Sequence, residues 1–169
     1  YPVPAERFKD LAGYDWARDD IHRLAERGII RGTGETTYSP GANITRADFT
    51  LLLVRAFGLT SESADNFADV KNEDYFAAAL AAAKANGIVT GVGDNRFNPR
   101  DGISRQDLFV ILERTLKKLG IELAPADTSE LSGYSDYGDI ADYAKSAVAT
   151  LVKNGIVFGT GDRINPRGR

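Results

Sequence analysis

A pattern of residues recurs along this chain at a fixed spacing, and this repetition limits the possible fold more than any other feature. Phe8 returns 59 residues later as Phe67, and the same offset carries residues 44–49 onto residues 103–108 without a gap. A repeat of this length indicates a small unit that buries its apolar face against neighbouring copies. The chain is therefore predicted to be a tandem array.

A third copy follows after small shifts in the alignment. It starts at Tyr134 and reaches Pro166, which aligns with Pro40 of the first copy. On this alignment the counterpart of Arg46 falls at position 172, beyond Arg169, so we expect a third copy that is cut short. The sequence predicts three modules, at residues 8–58, 67–119 and 134–169.

The first half of each copy has the pattern of a short helix. Trp16, Ile21 and Leu24 recur at helical spacing and would share one face. Gly28 then stands where a left-handed residue would end the helix. The second copy has an alanine-rich run, a strong helix former, before the equivalent glycine.

The second half of each copy predicts another helix with a defined start. Thr45 and Ser104 are suited to the N-cap, and Asp48 and Asp107 three residues later complete a capping-box pattern. Apolar residues at helical spacing follow. The predicted fold class is all-α, built from helix-loop-helix repeats.

Composition excludes several kinds of partner. The chain has no cysteine, a single histidine at His22 and a net charge of −3 without a basic stripe, so neither a metal site nor nucleic-acid binding is predicted. Residues 93–98 resemble a calcium loop only faintly, because the spaced acidic ligands are missing. No apolar run approaches the ~20 residues that span a bilayer, so no membrane insertion is expected. No cofactor is implied.

Residues 121–132, rich in acids and small polar residues, are interpreted as a flexible connector between the second and third copies.

The order of these motifs resembles the S-layer homology module of bacterial surface proteins. An aromatic-x-Asp start is followed by Gly-Ile-Ile/Val-x-Gly-x-Gly, then aromatic-x-Pro, then Ile-Thr/Ser-Arg-x-Asp. Residues 44–48 keep the family's Ile-Thr-Arg-Ala-Glu signature with Asp in place of Glu. Residues 103–107 depart further but keep the arginine and the cap. The resemblance extends over nearly the whole chain.

This resemblance implies a fold and a function. The family's three modules form a pseudo-threefold, three-prong spindle around a central helical bundle. They anchor proteins non-covalently to secondary cell-wall polymers, typically through pyruvylated N-acetylmannosamine bound in grooves between prongs. The implied partner is thus a cell-wall polysaccharide, and the implied location is extracellular, at the bacterial cell wall or S-layer.

Arg46 and Arg105 are the leading candidates for contacting such a polymer. Both stand in the first turn of a capped helix, where free N–H groups and the helix dipole would favour an anion. A guanidinium adds a planar fork that matches the carboxylate of a pyruvate ketal. The alternative is that each arginine pairs with a protein carboxylate, and the candidates for that are Asp10, Asp48, Asp69 and Asp107.

Three further sets recur in register, and each has a structural alternative. Glycines after the first helix could let a sugar approach the backbone, or could serve tight turns alone; they are Gly32, Gly34, Gly91, Gly93, Gly159 and Gly161. Aromatic residues could be sugar platforms or core residues; they are Trp16, Tyr75 and Tyr143. Aspartates could accept sugar hydroxyls, although capping of the first helix is favoured; they are Asp10, Asp69 and Asp136.

The sequence thus favours a non-catalytic carbohydrate-binding anchor. A protein-interaction or self-assembly scaffold is the alternative, because an unfinished third copy would leave apolar surface without a partner. An enzyme is disfavoured, since the candidate acids recur with the repeat whereas catalytic centres combine unlike groups at one place.

Overall fold

The computed structural model describes residues 7–169, and within this range the chain is helical. Five α-helices occur, and two 3-10 turns, at Thr128–Leu131 and Tyr137–Asp139, precede the last of them. Strand-like pairing in this range is limited to isolated bridges. The prediction of an all-α fold is confirmed. The helices are α1 (Asp15–Glu26), α2 (Arg46–Phe57), α3 (Ala77–Ala85), α4 (Arg105–Lys118) and α5 (Asp142–Lys153).

Helix starts and ends follow the predicted signals. The Thr45 side chain accepts a hydrogen bond from the backbone N–H of Asp48, and Ser104 does the same for Asp107, so α2 and α4 are capped as expected. After α1, Gly28 adopts a positive φ of 70°. This left-handed residue turns the chain out of the helix.

Three equivalent aspartates close the loop that follows each first helix. The carboxylate of Asp69 accepts hydrogen bonds from the backbone N–H groups of Phe97 and Asn98, at 2.9 and 2.8 Å. Asp10 and Asp136 bind the corresponding amides of their own loops. The favoured prediction that these aspartates cap the first helices is wrong, because α1, α3 and α5 have no side-chain cap.

Successive copies are joined through the first turn of each second helix. The N–H of Arg46 donates to the carbonyl of Asp101 at 2.9 Å, and that of Ala47 donates to Pro99 at 3.0 Å. The first turn of α4 makes the same two bonds with the loop of the third copy. The joint between copies is therefore the same at both junctions.

The hydrophobic core also crosses from copy to copy. Ala47 and Leu53 of α2 belong to the same buried cluster as Phe67 and Leu80 of the second copy. In the same way α4 shares a cluster with α5 of the third copy. Apolar stripes that would be exposed in a lone copy are therefore buried by stacking.

The helix α1 is the exception to this packing. Within its twelve residues it buries Ile21, whereas the nine residues of α3 include six that are buried. The prediction that Trp16 shares the buried face with Ile21 is wrong, because Trp16 is 84% exposed. Helical spacing placed it near that face, but its ring extends into solvent.

The segment between the second and third copies is packed and not a free connector. Leu131, in the first 3-10 turn, is fully buried in the core shared with α5. The amide side chain of Asn154 donates to the carbonyl of Ala124 and accepts from its N–H, at 3.0 and 2.9 Å. The expectation of flexibility is wrong because composition does not reveal these tertiary partners.

Between residues 7 and 169 the structure contains no helix that is long and apolar enough to cross a membrane.

We predict that Asp136→Ala lowers the free energy of unfolding by about 3 kcal/mol, measured by urea denaturation. The side chain is almost fully buried, and its loss leaves the amides of Ile164 and Asn165 without an acceptor. Asp162→Ala, at an exposed position in the same loop, is the matched control and should change little. Equal effects of the two substitutions would contradict this role of Asp136.

Candidate functional site

Two cavities open at equivalent positions of the first and second copies. The first cavity, of about 540 Å³, is lined by residues 30–33 and 38–44, by α2 and by Tyr75. The second cavity, of about 410 Å³, is lined by residues 89–92, by α4 and by Tyr143. Each cavity therefore lies between the loop of one copy and the start of the first helix of the next, since Tyr75 stands two residues before α3 and Tyr143 lies in the first turn of α5.

Both cavities contain a carboxylate bound to a tyrosine. Tyr75 donates its hydroxyl hydrogen to Asp48 at 2.6 Å in the first cavity, and Tyr143 donates to Asp107 at 2.6 Å in the second. Burial, followed by the hydrogen bond to the aspartate, raises the pKa of each tyrosine to about 12. Both hydroxyls therefore remain protonated donors at neutral pH.

The aromatic rings of these tyrosines are not core residues. Tyr75 is 67% exposed and Tyr143 is 61% exposed, although their hydroxyls are anchored. The structural alternative of core packing is therefore wrong for both. Their counterpart in the first copy, Trp16, is even more exposed and lines neither cavity.

Arg46 lies in the second cavity, away from the loop of its own copy. Its Nε donates to the carbonyl of Phe97 at 2.9 Å, and its Nη1 donates to Asp107 at 3.0 Å. The guanidinium carbon stands 4.8 Å from the centre of the Phe97 ring. Arg46 thus forms an ion pair with Asp107, which is the alternative that the sequence analysis considered beside binding to a ligand.

Part of the Arg46 guanidinium is nevertheless open to the cavity. Among residues 7–169, no hydrogen-bond partner of Nη2 is found. Every buried side-chain nitrogen or oxygen in that range does have a partner, so an atom without one is not buried. Nη2 is therefore accessible, although the side chain as a whole is only 11% exposed. The remaining donors of the fork can still bind an anion in the cavity.

Arg105 occupies the equivalent position one copy further along. Its Nε donates to the carbonyl of Ile164 at 3.1 Å, as Arg46 does to Phe97. No carboxylate of the described residues lies within ion-pair distance of it. Arg105 lines neither of the two cavities, so the structure does not bring the two candidate arginines together.

The N-terminus of α2 is not a free anion site, contrary to the sequence prediction. The amides of Arg46 and Ala47 donate to the loop of the second copy, and the amide of Asp48 donates to Thr45. The start of α4 is occupied in the same way. The amides in the first turns of α2 and α4 are therefore not available to an anion, because the tertiary fold has used them.

Two arginines that the sequence reasoning missed line the cavities. Arg55 lies in the first cavity, and burial, followed by the charge of Arg31, lowers its pKa below the ordinary value. Arg114 lies in the second cavity and donates from Nη1 to the Thr90 hydroxyl at 3.4 Å. They stand 59 residues apart, so the repeat itself was a signal that could have found them.

The first glycine of each Gly-x-Gly pair is required by the loop. A Cβ on Gly32, Gly91 or Gly159 would lie 2.4 to 2.5 Å from a backbone carbonyl oxygen of the same loop. Gly32 and Gly91 also border the cavities, whereas Gly159 and the second glycines of the pairs do not. Those second glycines are Gly34, Gly93 and Gly161.

The recurring aspartates lie behind the loops and line neither cavity. Burial alone would raise the pKa of Asp136, but the amides of Ile164 and Asn165 and the nearby Arg163 outweigh it, and the pKa lies below the usual value. Asp69 follows the same pattern, while backbone amides directly lower the pKa of Asp10. These carboxylates are thus ionised and held by the protein backbone.

In the part of the chain that the structure describes, no group of three or more histidine, cysteine, aspartate or glutamate side chains could hold a metal ion.

Repeated helical units with equivalent cavities at their junctions define a protein built from copies of one module. A family model described as the S-layer homology domain matches residues 7–50, 66–109 and 133–169. These matches cover most of the chain, and the chain belongs to the S-layer homology domain family.

Relatives include both enzymes and surface-layer proteins. The chain is 35% identical to an exoglucanase, XynX, of Acetivibrio thermocellus, over 90% of this chain and 14% of that protein. It is 29% identical to the surface-layer 125 kDa protein of Lysinibacillus sphaericus, over 90% of this chain and 12% of that protein. With the S-layer protein sap of Bacillus anthracis it shares 27% identity, over 98% of this chain and 20% of that protein. The chain thus spans a fifth or less of each of these relatives.

Family membership and these relatives associate the protein with the cell surface and the cell wall. The module is a non-catalytic anchoring unit, and the enzyme relatives match through this unit alone.

We predict that Gly91→Ala lowers the free energy of unfolding by about 3 kcal/mol. Gly91 has a φ of 78°, and its Cβ would lie 2.4 Å from the carbonyl oxygen of Arg96. Gly133→Ala is the matched control, because no heavy atom lies within 4 Å of its Cβ. Urea denaturation of both variants tests this, and an equal loss in the two would contradict the requirement for glycine at position 91.

Proposed function

We propose that the chain anchors its protein to the cell wall by binding a secondary cell-wall polymer in these cavities. The modules at residues 8–58, 67–119 and 134–169 would act as one rigid binding unit. The observation that supports this most strongly is that both cavities are lined by the same groups, an aspartate-bound tyrosine and an arginine. A chemistry repeated at equivalent places suits a polymer whose units are also repeated.

The charge of the second cavity suits an anionic sugar. Arg46 and Arg114 line it together with one carboxylate, Asp107, which leaves one positive charge in excess. The accessible donors of Arg46 would bind the carboxylate of pyruvylated N-acetylmannosamine as a planar pair. Arg105 is proposed to do the same beside the loop of the third copy.

The neutral part of the sugar has suitable surfaces nearby. The exposed rings of Tyr75 and Tyr143 offer apolar faces against which a pyranose can stack. Gly32 and Gly91 leave backbone exposed at the wall of each cavity. Two such cavities on one body would increase the avidity for a polymer well above the affinity for a single unit.

The arrangement of acids supports binding without catalysis. Glycoside hydrolysis uses two carboxyl groups about 5 to 9.5 Å apart on either side of the scissile bond. Among the described residues that line them, the first cavity has Asp48 as its one carboxylate and the second has Asp107. Neither cavity therefore offers the pair that this chemistry needs.

Binding to purified pyruvylated cell-wall polymer tests the proposal. The double variant Arg46→Ala, Arg105→Ala should lose about ten- to a hundredfold in affinity, since hydrogen bonds to charged groups contribute about 1.5–3 kcal/mol. The double variant Arg18→Ala, Arg23→Ala is the matched control, because it removes two positive charges from α1, away from both cavities.

Polymer without the pyruvyl group provides the second arm of this experiment. Wild-type protein should bind it at least tenfold more weakly, because the carboxylate is missing. Equal affinity for the two polymers, or undiminished binding by the double variant, would refute the carboxylate mechanism.

A scaffold function is the second candidate, and the exposure of α1 is the observation that favours it. Trp16 is 84% exposed on a helix that buries one residue. If this face joins protein molecules, light scattering should show a mass that rises with concentration, and Trp16→Ser should abolish the rise. Tyr137→Ser, at another exposed aromatic residue, should not. The mass of one chain at every concentration would refute the scaffold.

A further inference from the structure

Gln106 is a buried polar residue at the junction of three elements. It stands in the first turn of α4, is 9% exposed, and its N–H donates to the carbonyl of Pro166 in the loop of the third copy. Its side-chain oxygen accepts the N–H of Ala141 at 3.0 Å. Ala141 is the N-cap residue of α5, so the side-chain amide of Gln106 fixes the start of that helix.

The other end of the same amide reaches the second cavity. The Nε2 of Gln106 donates to the hydroxyl oxygen of Tyr143 at 3.2 Å, while that hydroxyl donates to Asp107 at 2.6 Å. A phenol hydroxyl acts both as a donor and as an acceptor. The protein satisfies both roles at Tyr143, so the hydroxyl and its ring are held in place beside the second cavity.

The first cavity lacks this support. The residue equivalent to Gln106 in the first copy is Ala47, which has no polar side chain and is fully buried. Within residues 7–169, the hydroxyl of Tyr75 has Asp48 as its one hydrogen-bond partner. The two cavities thus share an aspartate-bound tyrosine and an arginine of the second helix, Arg55 or Arg114, whereas Arg46 lines only the second. They also differ in how firmly the tyrosine is held.

We propose that Gln106 is a positioning residue that holds the Tyr143 hydroxyl and the start of α5 against the second cavity, and thereby increases the affinity of this cavity for the polymer. A side chain already held in its bound orientation loses less conformational entropy when the ligand arrives. Gln106 does not line the cavity and acts through Tyr143. This inference rests on the proposed function.

Gln106→Met tests it, because methionine has a similar length but makes neither hydrogen bond. Isothermal titration with a monovalent pyruvylated N-acetylmannosamine glycoside is carried out with the first cavity disabled by Arg55→Ala and the proposed site at Arg105 disabled by Arg105→Ala. We expect Gln106→Met to weaken binding about three- to tenfold, the size of one neutral hydrogen bond. In a Tyr143→Phe background the same substitution should change the affinity by less than about twofold, because the coupling passes through the hydroxyl.

Thr115→Val is the matched control for general loosening of α4. Thr115 is fully buried in the same helix, bonds to Ile111 within it and lines neither cavity, so its loss should leave the affinity unchanged. Should Gln106→Met bind like wild type, or weaken binding equally with and without the Tyr143 hydroxyl, the positioning role is overturned and the proposed function stands. Failure of the wild-type chain to bind the glycoside and the polymer would overturn both.

Discussion

The first turn of each second helix is completed by the loop of the next copy, and the rest of the structure depends on this contact. A helix leaves its first N–H groups without partners inside the helix, and burial makes unpaired groups costly. In α2 the amides of Arg46 and Ala47 find the carbonyls of Asp101 and Pro99. The position of a helix in one copy is thereby set by the loop of another, and both cavities lie beside such loops.

The loops can receive these helices because contacts within each copy keep the loops in a defined shape. The carboxylate of Asp69 binds two successive amides of the loop that receives α2, and Gly91 lets the same loop fold closely upon itself. Arg46 then lies over Phe97 of that loop and reaches Asp107 on α4. One network of contacts therefore closes the loop, joins the copies and shapes the second cavity. Gln106 extends this network to the third copy through its hydrogen bonds to Ala141 and Pro166.

Sequence reasoning was accurate where a residue acts on its own neighbours. Thr45 and Ser104 cap the helices that follow them, and Gly28 ends the helix before it, since these interactions span a few residues. It was wrong where a partner lies in another part of the fold. The aspartates bind loop amides nearly thirty residues away, and the segment after α4 is held by Asn154 of the third copy.

The sequence by itself determined the repeat, the all-α class and the family, because periodic apolar residues, caps and glycines act locally and recur in register. It also carried the residue types of the site, including Arg46, Tyr75 and Tyr143. Only the tertiary structure decided which copy each side chain serves. Arg46 belongs to the cavity of the second copy because stacking carries the end of one unit onto the next, and no spacing along a chain encodes that transfer.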